Sequence, residues 1–377
     1  MSHSARRPPQ RLPQGRHGVQ LKRRRASHVK PQLTSAPPHI STPFHQARRR
    51  REGAFLRRLV KLGEVKVVVM QLLVLCVCLA VASVDELRRD WQHVSDAQRA
   101  RQTFHNRTTA VAVLIRHPDW ISYHWMRTLV QEVAIFLVVD VATGRNELIE
   151  RHDDGLFELH VNETQISDIG YKNLIWITDG QNKTSAWDKA VFFFAEIAVY
   201  FEHVWFIEGD VYIPSAHAFL YTDSLNTSAD LVTKDDTILN AFTNETGWWW
   251  QHIAQQWKVP LPWYNSLSCA IRCSRRLLSE LQKYAHLHGR LDFIEVIFNT
   301  LAAHAKFTTF TPATLSTVTV TRQEVLDKKI PWNFNCSDIE NHPLNWFHPI
   351  KRQSEFVGEC VLSGSWNAST MVQVGHL

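Results

Sequence analysis

Apolar residues in the second part of the chain occur in short blocks that alternate with longer amphipathic ones. The short blocks are rich in Val, Ile, Ala and Phe, which is typical of buried strands. The predicted strands are Thr109–Ile115, Ala134–Val141, Leu174–Ile177, Val204–Ile207 and Ala229–Thr233. The predicted helices are Trp187–Val199, Ser274–Leu287 and Phe293–Ala303, and a Thr/Val-rich block at Thr308–Val320 is strand-like. Strands separated by helices predict an α/β fold with a mainly parallel sheet covered by helices on both faces.

Polar residues stand where several of these predicted strands end. In open α/β sheets, ligands bind beyond the carboxyl ends of the strands. The residues at such positions are Arg116, Asp140, Asp179, Glu208 and Asp210. We therefore expect a polar ligand-binding site at this edge of the sheet.

The strand Val204–Ile207 leads directly into the acidic triplet Glu208-Gly209-Asp210. Residues two apart on an extended chain point the same way, so both carboxylates can face one cation. Hard divalent cations prefer oxygen ligands and leave positions open for phosphate oxygens. Apolar residues also follow the triplet, at Val211 and Ile213, which is unusual for a solvated turn. The pattern predicts a site for a metal ion and a diphosphate.

The most apolar stretch is Val67–Val84, which has 18 residues and no charge. This length is near the minimum for a membrane-spanning helix. Basic residues precede the stretch and Asp85 and Glu86 follow it, so the positive-inside rule predicts a cytosolic N-terminus, with residues 85–377 across the membrane. Ala80–Ala82 resembles a signal-peptide cleavage site, but a leader of 66 residues favours an uncleaved anchor.

The segment before this span differs in charge from the rest of the chain. Residues 1–66 carry 17 of the 42 Lys and Arg and two of the 36 acidic residues, which leaves 25 basic and 34 acidic residues for the remainder. This composition predicts a disordered basic tail. An arginine-rich tail can bind nucleic acid, but this one lacks interleaved aromatic residues and precedes a membrane span. Contact with anionic lipid or sorting machinery is the favoured role, and we expect no nucleic-acid partner.

Potential N-glycosylation sites are concentrated after the span. Fifteen Asn and 48 Ser or Thr among 377 residues would give about two Asn-x-Ser/Thr triplets by chance. The chain has seven, headed by Asn106, Asn162, Asn182, Asn226, Asn244, Asn335 and Asn367. The excess indicates a glycosylated domain in the lumen of the secretory pathway.

Four cysteines share this predicted lumenal part, namely Cys269, Cys273, Cys336 and Cys360. An even number in an oxidising compartment predicts two disulfides, with three possible pairings that the sequence does not distinguish. A zinc site built from the same cysteines is the alternative, although no Cys-x2-Cys pair is present.

The order of these blocks, with Trp-Phe-Ile-Glu-Gly-Asp-Val-Tyr-Ile-Pro at residues 205–214, resembles the lumenal glycosyltransferases of the nucleotide-diphosphosugar (GT-A) fold. In that family a strand-end acid-x-acid motif, the DXD motif, holds Mn²⁺ or Mg²⁺ against the donor diphosphate. The resemblance implies a Rossmann-type sheet and a type II layout. This layout comprises a cytosolic tail at 1–66, an anchor at 67–84, a stem at 85–107 and a catalytic domain at 108–377, in the Golgi or endoplasmic reticulum membrane. The first motif position departs from the family in being Glu208 instead of Asp.

The resemblance also implies roles for residues outside the motif. An acid at the start of a downstream helix faces the acceptor hydroxyl in this family, and Glu295 or Asp292 matches that position. A C-terminal histidine often completes the metal site with the two motif acids, which points to His348, with Lys351 meeting a phosphate. Asp140 or Asp179 would contact the nucleoside, and Arg116 would lie at the same binding site.

Two functions are consistent with these patterns. One is a glycosyltransferase that moves a sugar from a nucleotide diphosphate to a glycan or glycoprotein hydroxyl. The other is a non-catalytic lumenal protein that keeps the fold to bind glycans or to act as a scaffold. A cluster of tryptophans between Trp248 and Trp263 fits either packing or a stacking surface for sugars. The donor sugar and the stereochemical course are not readable from the sequence.

Overall fold

A computed structural model of the 377-residue chain describes residues 66, 69–72, 74–75, 107–116, 124–141, 144–151, 156–172, 184–235, 237–239, 256–319 and 333–362. The predicted tail, the stem up to residue 106 and most of the predicted span at 67–84 lie outside these ranges. The few described residues of the span are helical and exposed. Within the described ranges, no helix combines the length and apolarity needed to cross a bilayer. The anchor stays a prediction.

A sheet of eight strands organises the described part of the chain. Its strands are β1 (Thr109–Ile115), β2 (Ala134–Val139), β3 (Glu147–Arg151), β4 (Leu156–His160), β5 (His203–Glu208), β6 (Leu231–Val232), β9 (Ala270–Ser274) and β10 (Thr309–Phe310). They lie in the order β10-β6-β9-β5-β1-β2-β4-β3. Pairing is parallel except where β3 meets β4 and where β9 meets β5 and β6. The mainly parallel α/β sheet predicted from the sequence is confirmed.

The remaining elements flank this sheet. The helices are α1 (His124–Leu129), α2 (Glu163–Asp168), α3 (Ala186–Phe192), α4 (Ala216–Ser224), α5 (Arg275–His288), α6 (Ile294–His304), α7 (Cys336–Asn341) and α8 (Gln353–Leu362). A π-helical turn, Phe193–Ile197, continues α3, and a 3₁₀ turn lies at Ala313–Leu315. Two short strands, β7 (Thr237–Leu239) and β8 (Trp263–Asn265), form a separate antiparallel pair.

Both faces of the central strands are buried, which explains why they appear in the sequence as unbroken apolar runs. Alternate residues of β1 enter two different cores. Ala110 and Ala112 pack with residues of α3, α5 and α6 on one face. Val111 and Val113 pack with residues of α1 and α4 on the other. The sheet is therefore a rigid layer between two helical layers.

The direction of β9 decides which residues reach the edge where β5 ends. Because β9 runs antiparallel to β5, its amino end lies beside the carboxyl end of β5, with Ala270 opposite Ile207. Cys269, just before β9, accepts a hydrogen bond from the Glu208 backbone N–H at 2.8 Å. The first residues of the antiparallel strand β9 therefore lie at the same edge of the sheet as the last residues of the parallel strands.

A small C-terminal core covers the segment after β5. Tyr212 and Phe347 exchange two backbone hydrogen bonds, of 2.8 and 2.9 Å. Residues of this core come from the post-β5 segment, α7 and α8, and are Tyr212, Phe334, Ile339, Phe347, Ile350, Phe356 and Cys360. A disulfide between Cys336 and Cys360 links α7 to α8. Residues far apart in the chain are thereby held against the end of β5.

Several element predictions need correction. Among the described residues of the strand-like block predicted over Thr308–Val320, only β10 and an isolated bridge from Val318 to His348 are extended pairings. Between them Pro312 has no N–H for a ladder and the chain turns into the 3₁₀ segment. The strand predicted at Ala229–Thr233 is reduced to the two residues of β6. The predicted strand Leu174–Ile177 and the residue Asp179 after it lie outside the described residues.

The expectation of two disulfides is also wrong for one pair. Cys269 and Cys273 are buried free thiols. They lie four residues apart along an extended segment, a separation of about 13 Å, whereas bridged cysteines have Cα atoms within about 7 Å of each other. The alternative of a zinc site made from all four cysteines fails too, since Cys336 and Cys360 are bonded to each other.

Loss of the Cys336–Cys360 bridge should loosen the C-terminal core. We expect the double substitution Cys336→Ser and Cys360→Ser to lower the free energy of unfolding by about 3 kcal/mol, because the bridge closes a loop with a sequence separation of 24. Urea unfolding followed by tryptophan fluorescence measures the loss. A reducing agent should erase the difference between the wild-type chain and the variant. A difference that persists under reduction would contradict the assignment.

Candidate metal centre

The turn Glu208-Gly209-Asp210 is fixed by the backbone of β1. Gly209 donates its N–H to the Leu114 carbonyl at 2.8 Å, and Val211 closes the turn by donating to the Glu208 carbonyl at 2.9 Å. A Cβ on Gly209 would lie 2.9 Å from the Leu114 carbonyl oxygen, which is closer than real side chains approach. The central glycine of the motif is therefore required by the contact with β1.

The segment carrying His348 is tied to the same turn by three donors. Ile350 donates its N–H to the Asp210 carbonyl at 2.7 Å. The buried Gln353 amide donates to the carbonyls of Gly209 and Val211 at 3.0 and 2.8 Å. These hydrogen bonds satisfy backbone carbonyl groups of the turn with donors that lie outside the sheet. They fix the position of His348 relative to both carboxylates.

The His348 ring presents one nitrogen to the two acids. Its Nδ1 lies 2.7 Å from the Thr319 carbonyl oxygen, which only accepts, so Nδ1 carries a proton. Its Nε2 lies 3.3 Å from Asp210 Oδ1 and 3.8 Å from Glu208 Oε2. A carbonyl bonded to the far nitrogen is the usual support of a metal-ligating histidine. The structure thus places the three predicted ligands, Glu208, Asp210 and His348, near one another, and their role in metal binding stays a prediction.

The carboxylates sit in a recess that remains open to solvent. The side chains of Glu208 and Asp210 keep 32 and 24 % of their surface exposed, while His348 keeps 9 %. Closely packed protein atoms and the charge of Asp210 raise the pKa of Glu208. Burial also acts to raise the pKa of Asp210, but the hydrogen bond and charge of His348, with the charge of Lys351, outweigh it and lower that pKa.

The His348 ring faces both acids. Burial by itself would lower the pKa of His348, but its hydrogen bond to Asp210 and the charges of both acids raise that pKa. The ring therefore binds a proton more readily than an isolated histidine does. A divalent cation would bring a charge of +2, twice that of an imidazolium, together with more ligand positions. The recess fits a cation because it gathers anionic oxygens that the chain only partly neutralises.

Two further residues reach Glu208, and sequence analysis did not place either of them at this site. Trp187 donates its indole N–H to Glu208 Oε1 at 3.0 Å. The Cys269 thiol is hydrogen-bonded to the same carboxylate, and burial with the nearby acids raises the pKa of that thiol well above its ordinary value. Ligand atoms of Glu208, Cys269 and His348 all lie within 4.8 Å of one another. No local motif marks Cys269, since only the reversed direction of β9 brings it here.

The two predicted catalytic acids differ in their surroundings. Glu295 lies in the first turn of α6, and its backbone carbonyl accepts the N–H of Ser266, in the segment that leads to Cys269, at 2.9 Å. Asp292 is fully buried and accepts hydrogen bonds from Lys258 N, Val259 N and Tyr284 Oη at 2.6, 2.9 and 2.5 Å. A carboxylate occupied in this way anchors the loop at Lys258. Asp292 is thus occupied in holding this loop, and the catalytic role of Glu295 stays a prediction.

The predicted donor-binding residues are brought partly together. Arg116 and Asp140 follow the adjacent parallel strands β1 and β2, and Asp140 donates its N–H to the Ile115 carbonyl at 2.8 Å. Close packing around its carboxylate raises the pKa of Asp140, while the charges of Lys189 and Arg116 oppose that rise. Lys351 is exposed beside Asp210. Asp179 lies outside the described residues.

Lys189 is a buried cation at this edge that sequence analysis did not identify. Its ammonium donates to the carbonyls of Val139 and Val141 at 3.1 and 3.0 Å and pairs with Glu163 at 2.8 Å. These bonds fasten α3 to the end of β2 and satisfy carbonyls beyond the strand. The capping box formed by Ser185 and Asp188 fixes where α3 begins, and this signal is visible in the sequence.

Adding a side chain at the centre of the acidic turn should disturb it. We expect Gly209→Ala to lower the free energy of unfolding by about 1–3 kcal/mol, because the new methyl group overlaps the Leu114 carbonyl. The matched control is Gly358→Ala in α8, where a Cβ meets no atom within 4 Å and should be neutral or stabilising. Denaturant unfolding of both variants measures the contrast. Equal stability of the two would contradict the steric argument.

Removal of one negative charge should weaken cation binding. We expect Asp210→Asn to reduce Mn²⁺ affinity at least about tenfold, since changes even to partners of metal ligands cost this much. Electron paramagnetic resonance of free Mn²⁺ during titration measures the affinity. The control is Asp168→Asn, which alters an exposed acid at the end of α2. Unchanged binding by the Asp210 variant would remove Asp210 from the ligand set.

The resemblance to GT-A enzymes rests on the acidic motif and on the predicted layout of the chain. No protein-family model matches the sequence. No curated protein matches it significantly either. What can be said of the chain's chemistry therefore comes from its own recess of carboxylate, imidazole and thiol groups at the carboxyl edge of a mainly parallel sheet.

Proposed function

We propose that the protein is a metal-dependent glycosyltransferase that uses a nucleotide-diphosphate sugar as donor and a glycan or glycoprotein hydroxyl as acceptor. One observation carries the proposal. The Nε2 atom of His348 lies 3.3 Å from Asp210 and 3.8 Å from Glu208, in an open recess at the end of a central strand. An arrangement of two carboxylates and one imidazole suits a divalent cation that retains free positions for phosphate oxygens.

The metal-holding residues would be Asp210, Glu208 and His348, with Mn²⁺ or Mg²⁺ as the cation. When bound, the cation supplies positive charge that stabilises a leaving diphosphate. The exposed Lys351 side chain, whose charge reaches Asp210, is placed to add a second positive charge. Arg116 and Asp140 lie at the ends of neighbouring strands of the same edge, where the nucleotide part of a donor would bind.

The acceptor would be activated by Glu295. Glu295 lies in the first turn of α6, whose backbone is bonded to Ser266 in the segment that leads to Cys269. A carboxylate there can accept the proton of an acceptor hydroxyl as that oxygen attacks the sugar. This role requires inversion at the anomeric carbon. In a retaining enzyme Glu295 would have no such role.

The cellular setting is part of the same proposal. The three potential glycosylation sites within the described residues, Asn162, Asn226 and Asn335, are all at least partly exposed. The disulfide between Cys336 and Cys360 fits an oxidising compartment. Together with the apolar stretch at 67–84, these features support a type II arrangement in the Golgi or endoplasmic reticulum membrane, with residues 85–377 in the lumen.

Substitution of Glu295 separates catalysis from metal binding. The purified full-length chain would first be tested against a panel of nucleotide sugars with Mn²⁺, with nucleotide release as the signal. For the donor that is turned over, we expect Glu295→Gln to lower kcat by roughly 10²- to 10⁴-fold, the usual contribution of a general base. Mn²⁺ affinity should stay unchanged.

The control is Glu355→Gln, which changes an exposed acid on α8. An unchanged kcat for the Glu295 variant would remove it as the base. Absence of turnover with every donor, together with retained glycan binding, would overturn the enzymatic proposal. That result would favour the non-catalytic glycan-binding protein.

A further inference from the structure

The Cys269 thiol is an unexpected member of the recess. Its sulfur, an oxygen of Glu208 and a nitrogen of His348 lie within 4.8 Å of one another. Cys269 is 6 % exposed, and it is held at this position by the pairing of β9 with β5. The other buried thiol, Cys273, lies four residues along the same strand and is not part of this group of ligand atoms.

The position of Cys269 is set by the backbone on both sides. Its carbonyl accepts the N–H of Glu208 at 2.8 Å, so the residue is locked to the first acid of the motif. The preceding Ser268 hydroxyl donates to the Ile294 carbonyl at 3.3 Å, which ties the segment to the start of α6. A thiol held between two fixed elements is preorganised for a ligand in the recess.

We infer that Cys269 is a direct ligand of the cation bound by Glu208, Asp210 and His348. The four side chains then offer one sulfur, one nitrogen and two carboxylates. When the sulfur binds the cation, the S–H bond breaks and its proton passes to solvent, while the sulfur electron pair forms the bond to the metal. This inference rests on the metal site of the proposed function and adds a ligand that the acid-x-acid motif does not contain.

A sulfur ligand changes which metal the site prefers. Carboxylates favour Mg²⁺, Ca²⁺ and Mn²⁺, whereas thiolates favour softer ions such as Zn²⁺. A set with thiolate, imidazole and carboxylates therefore selects Zn²⁺ or Co²⁺ over Mg²⁺. The site should bind Zn²⁺ and Co²⁺ more tightly than Mn²⁺, and Mg²⁺ most weakly.

Cobalt provides a direct test, because a bond between thiolate and Co²⁺ gives an intense charge-transfer absorption in the near ultraviolet. The purified full-length chain would be titrated with Co²⁺ under conditions that preserve free thiols. We expect this band in the wild type and in Cys273→Ser, and its loss in Cys269→Ser. The Cys269 variant should also bind Zn²⁺ at least about tenfold more weakly, with a smaller change for Mn²⁺.

X-ray absorption of the Zn²⁺-loaded chain gives an independent measurement. A sulfur neighbour at about 2.3 Å, in addition to nitrogen and oxygen at about 2.0–2.2 Å, is expected in the wild type and in Cys273→Ser. The sulfur neighbour should persist when Cys76, Cys78 and Cys273 are all replaced by Ser, so a folding defect in Cys269→Ser would not prevent the test.

The possible outcomes separate this inference from the proposed function. Co²⁺ binding without the charge-transfer band, or a band that Cys269→Ser retains, would overturn the role of Cys269 as a ligand and leave the site of Glu208, Asp210 and His348 standing. Failure of Co²⁺, Zn²⁺ and Mn²⁺ all to bind would overturn both. A band lost only in the Cys269 variant supports the inference.

Discussion

The chemistry of this protein centres on two carboxylates, Glu208 and Asp210, that face the same imidazole nitrogen. Glu208 and Asp210 repel each other, and the protein packed around them weakens the solvent that would otherwise screen the repulsion. The Nε2 atom of His348 lies 3.3 Å from Asp210 and 3.8 Å from Glu208, and the charges of both acids raise the pKa of its ring. Such an arrangement has little reason to persist without a positively charged ligand. The surrounding bonds from Gln353, Ile350 and Trp187 keep the acids together despite the repulsion.

The recess is assembled from four distant parts of the chain. The end of β5 supplies the acids, and the amino end of the antiparallel β9 supplies Cys269. The start of α6 places Glu295 nearby, and the C-terminal segment supplies His348 and is held by Gln353 and the disulfide-linked helices. Of these groups, only the acids after β5 follow the carboxyl end of a parallel strand, where open α/β sheets generally bind ligands. The ligand set therefore depends on how two later segments are routed across the sheet.

Predictions succeeded where the physical signal lies in neighbouring residues, and they failed where it depends on residues distant in the chain. Burial of β1 on both faces imposes an apolar run that ends where the strand ends, so Thr109–Ile115 was predicted with its observed bounds. Asp292 and Glu295 are only three residues apart on either side of the start of α6. One is closed off by three donors that come from other parts of the chain, and the other borders the recess. No local pattern distinguishes them, because the donors to Asp292 belong to a distant loop and to α5.

The sequence by itself determined the α/β class, the central strands and the acidic triplet, because periodicity and the abrupt change from apolar to acidic residues are local properties. It also indicated His348, although through a resemblance and not through a physical signal of its own. Tertiary structure alone decided that Gly209 must lack a side chain, that Cys269 faces Glu208, and that Cys269 and Cys273 remain thiols. Each of these depends on which strand lies beside another and in which direction it runs. Such pairings follow from the packing of the whole sheet, and neighbouring residues do not encode them.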